Sequence, residues 1–297
     1  MSPELCAEII SQKTNWNIEQ VHDDLFLLKS PQGDYKVETD AEIIKKMSKE
    51  ATEGEGDSFS NIIREGFDSL KGTIVPIELV SPPLPLDKIS ELDQICEDLH
   101  KRGAKGTQDS FNYAFGLHLN PQVKQLDHVH ILKNLQAFII LSDWLHDQIK
   151  IDTTRRLTGF AKDFPKDYAK KIIQTNYKPS QTEFIDDYLS FNPTRNRSLD
   201  MLPLLKFIDP DRVTNIVDDT RVKSRPTYHY RLPNCMLGSP FWSINTEWKR
   251  WKKVEWLAEN DVYLEGATEA FNQVKLKNSF SNNEWIAILN TLIMESE

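Results

Sequence analysis

Four short stretches alternate large apolar side chains with residues able to do chemistry. In 227–233, Tyr228, Tyr230 and Leu232 oppose Thr227, His229 and Arg231. In 110–120, Phe111, Tyr113, Phe115, Leu117 and Leu119 oppose Ser110, Asn112, Ala114, Gly116, His118 and Asn120. In 74–80, Val75, Ile77 and Leu79 alternate against a face with Glu78; in 34–40, Tyr35 and Val37 oppose Lys36, Glu38 and Asp40. A period of two sends successive side chains to opposite faces of a sheet, so each stretch reads as an antiparallel strand with one face on a core. The polar faces either look into water or, if the strands are neighbours, converge on one concave surface.

The chemistry such a surface offers follows from its residue types. Glu38, Asp40 and Glu78 are hard oxygen donors, and magnesium takes one or two carboxylates before completing its shell with water and phosphate oxygens. Carboxylates gathered on one face repel one another unless a cation lies between them. Arginines occur in short groups: Arg155 and Arg156, Arg195 and Arg197, then Arg225 and Arg231. The planar guanidinium pairs bidentately with phosphate or carboxylate. The competing role is ion pairing with nearby Asp152, Asp186, Asp187, Asp218 and Asp219, which we expect for about half of these arginines.

Composition narrows the classes. The 297 residues carry a net charge of −9, and lysines and arginines are scattered among acids, which argues against nucleic acid as partner. Cys6, Cys96 and Cys235 are odd in number and far apart, fitting a reducing, cytoplasmic setting rather than a disulfide framework or zinc knuckle. No stretch approaches the length of apolar chain that crosses a bilayer, so no membrane partner is expected. There is no GxxxxGK[ST] loop, GxGxxG turn or GxSxG elbow.

Helical spacing fills the rest. Asp87 is placed to cap a helix with apolar Ile89, Leu92, Ile95, Cys96 and Leu99. Asp127 is placed to cap a second running to about Gln148, apolar nearly all round over 135–145 and therefore buried. Further helices are expected over 182–189, 199–207, 247–258 and 283–294, with Trp248, Trp251 and Trp256 packing inward. The fold class expected is α+β: one domain over 1–297, a curved, mainly antiparallel sheet flanked by helices.

Several strings in order, VPIELVSPPLPLDKISELD, YAFGLHLN, IDTTRRL, YLSFNPTRNRSLDMLPLL, SRPTYHYRLPNC and EWKRWKKVEWLA, resemble the amidoligase family, within the glutamine synthetase and glutamate–cysteine ligase superfamily. The resemblance runs over about residues 6–259. It implies a glutamine synthetase catalytic-domain-like fold whose concave sheet face binds ATP, Mg2+ and substrate. It also implies ATP-dependent joining of a small-molecule or peptide carboxylate to an amine through an acyl phosphate. Carried over by motif, Glu78, His118 and Arg231 are the candidate catalytic groups. Glu38, Asp40 and Glu78 are the candidate metal ligands, and Arg195, Arg197, Arg225 and Asn120 the candidate nucleotide-binding groups.

Three departures from the family pattern stand out. Asn120 replaces the second histidine of GLHVHVG, and His229 replaces the glutamate that often precedes the closing arginine. Met1 falls where the helix after the family's opening acidic strand should begin, so a start further upstream, or loss of that strand, is expected; upstream DNA tests this. The alternative functions are a catalytically degenerate relative that binds nucleotide or an amino acid, and a metal-assisted amide hydrolase. The identity of the acid and amine, and the oligomeric state, are open at this stage.

Overall fold

The computed structural model describes residues 1–39, 77–106, 116–150, 161–274 and 281–296. The chain is α+β: ten α-helices and two antiparallel sheets are seen among the described residues. It divides into two compact units, Met1–Phe115 with Cys235–Asn245, and Gly116–Asn234 with Thr246–Glu297.

The first unit is a four-stranded sheet in sequential order: β1 (Asn17–His22), β2 (Leu25–Ser30), β3 (Gly33–Thr39) and β4 (Ile77–Val80). Every neighbouring pair is antiparallel. Gly33 closes the β2–β3 hairpin at φ +131°, a conformation that L side chains rarely adopt, and a Cβ there would lie 3.0 Å from Pro82. Phe26, Leu28, Tyr35 and Val37 are buried, and Ile77 and Leu79 pack against the same cluster. α1 (Pro3–Thr14) supplies Cys6, Ala7, Ile9 and Ile10 to that core, and α2 (Ile89–Lys101) supplies Ile95 and Leu99. Trp16 stacks on Tyr35 with ring centroids 4.6 Å apart. Asp87 is not the cap of α2: it lies in a 3-10 turn, Leu86–Lys88, that runs directly into the helix. Asp93 of α2 instead accepts from the Ile244 and Asn245 amides at 2.6 and 3.3 Å.

The second unit is built on α3 (His128–Ile149). Its middle is buried on all sides, from Leu135 through Phe138, Ile139, Ile140 and Leu141 to Leu145. Asp127 caps it, accepting from the His130 amide at 2.9 Å. The helices that follow are α4 (Lys166–Ile172), α5 (Gln181–Phe191), α6 (Leu202–Ile208), α7 (Pro210–Ile216), α8 (Ile244–Glu259), α9 (Asp261–Val274) and α10 (Asn282–Met294). The helix expected from residue 199 starts later. Leu199–Asp200 form strand β5, because their backbones pair with β6 (His229–Tyr230).

This small sheet is larger than its two named strands. Bridges Gly116↔Asn234, Leu119↔Tyr230 and Gln122↔Thr227 lay the 116–123 segment antiparallel along the other edge of β6. Tyr230 N–H donates to Leu119 O at 2.9 Å, and Arg231 N–H donates to Ser198 O at 2.9 Å. The segment around β6 is therefore pinned on both sides. Tyr228, Tyr230 and Leu232 turn into the main core, where Trp251 lies 5.3 Å from each tyrosine ring. Trp248 and Trp256 pack against the same core. No helix among the described residues is long and apolar enough to cross a membrane.

Candidate functional site

In the first unit, the face of the sheet opposite α1 and α2 carries the acids. Glu38 of β3 and Glu78 of β4 are direct cross-strand partners. Two like charges so placed destabilise a sheet unless something positive intervenes. Lys36, on the same strand face, pairs with Glu38 at 2.5 Å. The donors are hard oxygens and one of them, Glu78, is exposed, so the pair suits a hard, hydrated divalent cation. Among the described residues no group of three or more His, Cys, Asp or Glu forms a metal cluster. Asp40, the third carboxylate of the sequence reading, lies outside the described residues, as do Arg155 and Arg156.

In the second unit, the polar face of the small sheet gathers most of the remaining candidates. β6 carries His229, and Arg231 follows it; both are buried. β5 contributes Asp200, fully buried across from His229. Asp200 Oδ2 lies 3.0 Å from His229 Nδ1, while Asp200 Oδ1 accepts from the Leu202 amide at 3.0 Å. Burial pushes the Asp200 carboxyl up to about 6, restrained by that amide and by Arg231, Arg195 and Arg225. Burial and the same three guanidinium groups drive the His229 imidazole well below its ordinary value. At neutral pH the pair is thus a carboxylate and a neutral imidazole, with Nδ1–H donating to the carboxylate.

The arginines surround this pair. Arg231 Nη1 donates to the Arg195 carbonyl. Its own burial pulls the Arg231 guanidinium down to about 10, partly offset by Asp200. Arg195 Nε is buried with no hydrogen-bond partner among the described residues, an unspent donor in a cationic neighbourhood. Arg225 donates through Nη2 to Asn120 Oδ1 at 2.9 Å and through Nε to Thr227 Oγ1 at 3.1 Å. That bond brings two sequence-predicted residues, Arg225 and Asn120, together across the sheet. Arg197 is differently employed. Its Nε donates to Asn192 Oδ1 at 2.8 Å, Nη1 to Asp163 O at 3.1 Å and Nη2 to Phe191 O at 3.2 Å. This makes Arg197 a fastener of the loop after α5.

His118 stands on the exposed face of the 116–123 segment, and its ring meets His229 edge-on, centroids 5.1 Å apart and planes at 89°. Beside the arginines, a cavity of about 180 Å³ is lined by Pro193, Thr194, Arg195, Asn196, Ile216, Val217, Asp218, Asp219 and Arg221. Arg221 makes a two-point contact with Asp219, at 2.8 and 2.7 Å, which holds that carboxyl down near about 2.

Over residues 1–252 the chain matches the family model described as "Putative amidoligase enzyme". It belongs to the amidoligase family. No curated protein and no solved structure matches the chain. Within this amidoligase, sequence reading did not assign Asp200 or Arg221 to the site. Asp200 was hidden inside a stretch read as helix, and Arg221 has no alternating neighbours to set its face. His229 was visible on the polar face of its strand but was noted only as a departure from the family pattern. Cys6 and Cys96 are packing groups: burial raises the Cys6 thiol to about 12 and raises Cys96 as well, leaving both protonated.

Proposed function

We propose that this amidoligase joins a carboxylate to an amine with consumption of Mg2+-ATP, by way of an acyl phosphate. The observation that carries the reading is the arginine set around Asp200 and His229. Arg195, Arg225 and Arg231 act together on one buried carboxylate, a concentration of guanidinium groups in one place. Such a site favours a polyanion, and phosphoryl transfer asks a protein chiefly for positioning and charge neutralisation. Arg231, buried and anchored to the Arg195 carbonyl, presents a preorganised guanidinium. Arg195 has a donor to spare for a phosphate or carboxylate oxygen. Asn120 and Thr227 fix the plane of Arg225.

Glu38 and Glu78 are the residues that would hold magnesium, two like-charged hard oxygen donors facing each other across strands. When bound, the ion would supply the positive charge that magnesium-dependent phosphoryl transfer uses. The deciding experiment measures phosphate release from ATP by the purified chain against pools of acids and amines. Release that requires Mg2+, an acid and an amine together supports the ligase. Amide cleavage without ATP, or nucleotide binding with no release in any pool, would replace this reading with a hydrolase or a degenerate binder.

A further inference from the structure

An amine at neutral pH is mostly an ammonium ion, and it must lose a proton before its nitrogen can attack. We propose that His118 takes that proton and that His229, held by Asp200, is the positioning residue that keeps His118 in place; this rests on the ligase reading above. The placement of the three side chains carries the argument. His118 is exposed and so can touch a substrate, whereas His229 and Asp200 are buried. Asp200 fixes the His229 ring by the 3.0 Å contact to Nδ1, and is itself fixed by the Leu202 amide. The His229 ring then stands edge-on to His118 at 5.1 Å. A base packed against a ring that a buried carboxylate holds has fewer orientations open to it, which suits it to proton transfer.

The charged groups around the pair are Arg195, Arg225 and Arg231, with Asp200 opposing them. Tyr188 also approaches Asp200, its hydroxyl accepting from the Met201 amide. The cationic surroundings favour loss of a proton from a nearby ammonium ion. In the step itself, His118 removes one proton from R–NH3+, giving R–NH2. The nitrogen lone pair forms the C–N bond as the C–O bond to phosphate breaks with its electron pair. The second nitrogen proton leaves on the phosphate, and His118 returns its proton to water.

Two amines separate this from a structural role. Methylamine is almost wholly protonated at neutral pH and needs a base, whereas hydroxylamine is mostly neutral and does not. The full chain is assayed with Mg2+-ATP, an equimolar mixture of the standard amino acids as carboxylate probe, and each amine in turn. Methylamide and hydroxamate products are read by mass spectrometry. In His118→Gln, methylamide formation should fall about 100-fold or more while hydroxamate formation falls less than about tenfold, and the acid limb of the methylamine pH–rate profile should disappear. Asp200→Asn and His229→Gln should move the product ratio the same way by a smaller factor, with kcat affected more than KM. Equal loss of both products in His118→Gln overturns the proposal while leaving the ligase intact. If the wild-type chain makes neither product, the ligase reading falls and takes this one with it. Should the buried variants fail to fold, the exposed His118→Gln decides alone.

Discussion

The two units handle charge in opposite ways. The first sets its acids on a regular four-stranded sheet, on the face away from the helices, where Glu38 and Glu78 sit opposite each other in perfect register. The second sets its arginines on a short, irregular ladder and lets burial, rather than water, decide their environment. A half-buried and an exposed acid cost little to keep; buried arginines and a buried aspartate are paid for continuously by packing. The contrast teaches that the stability of the second unit is tied to its charged groups, whereas that of the first depends little on them.

Breaking the support of the buried face should have the largest effect. Trp251→Ala removes a fully buried ring that backs both Tyr228 and Tyr230. It should cost about 3–5 kcal/mol in urea unfolding. A loss under about 1 kcal/mol, on the scale of an exposed substitution, would mean the ladder does not depend on that core.

The next effect is electrostatic. The folded Asp200 carboxyl, near about 6, holds a proton that the unfolded chain releases earlier. Stability should therefore fall as pH rises from about 4 to about 6, by on the order of 2 kcal/mol. His229 acts in the other direction: its folded imidazole resists protonation, so it removes stability as pH drops below about 6.5. Asp200→Asn should abolish the first slope and leave the second, in urea titrations across that range. An unchanged slope would show that Asp200 is not the buried charge described.

The smallest effect belongs to the acids of the first sheet. Glu78→Gln removes a like-charge cross-strand contact at an exposed position, and without magnesium its effect on stability should stay within about 0.5 kcal/mol. The same variant should lose magnesium-dependent turnover. Lower stability in magnesium-free buffer, with turnover retained, would remove both carboxylates from the proposed metal site.

Alternation made the strands legible: Tyr35, Val37, Ile77, Leu79, Tyr228, Tyr230 and Leu232 all face core, and their neighbours do not. The long apolar middle of α3 and the Asp127 cap were equally plain, because propensity and burial agree there. Asp87 misled because a good capping residue was overtaken by a 3-10 turn that brings the chain in one residue later. Asp200 misled because a two-residue strand leaves no periodic trace, and only its partner across the ladder defines it. Arg197 looked like its neighbour Arg195 in sequence, yet local carbonyls and Asn192 absorb its donors. What the chain does with its arginines is decided by three-dimensional company, not by spacing.

The ladder around His229 also constrains how this sequence can change length. Tyr230 and Arg231 bond to opposite neighbours, so adding or deleting one residue between 228 and 232 would exchange the face of the tyrosines with that of His229 and Arg231. Hydroxyphenyl rings would be thrust outward and guanidinium driven among leucines. Viable relatives of this chain should therefore keep that interval free of gaps and accept insertions only in the connections beyond it.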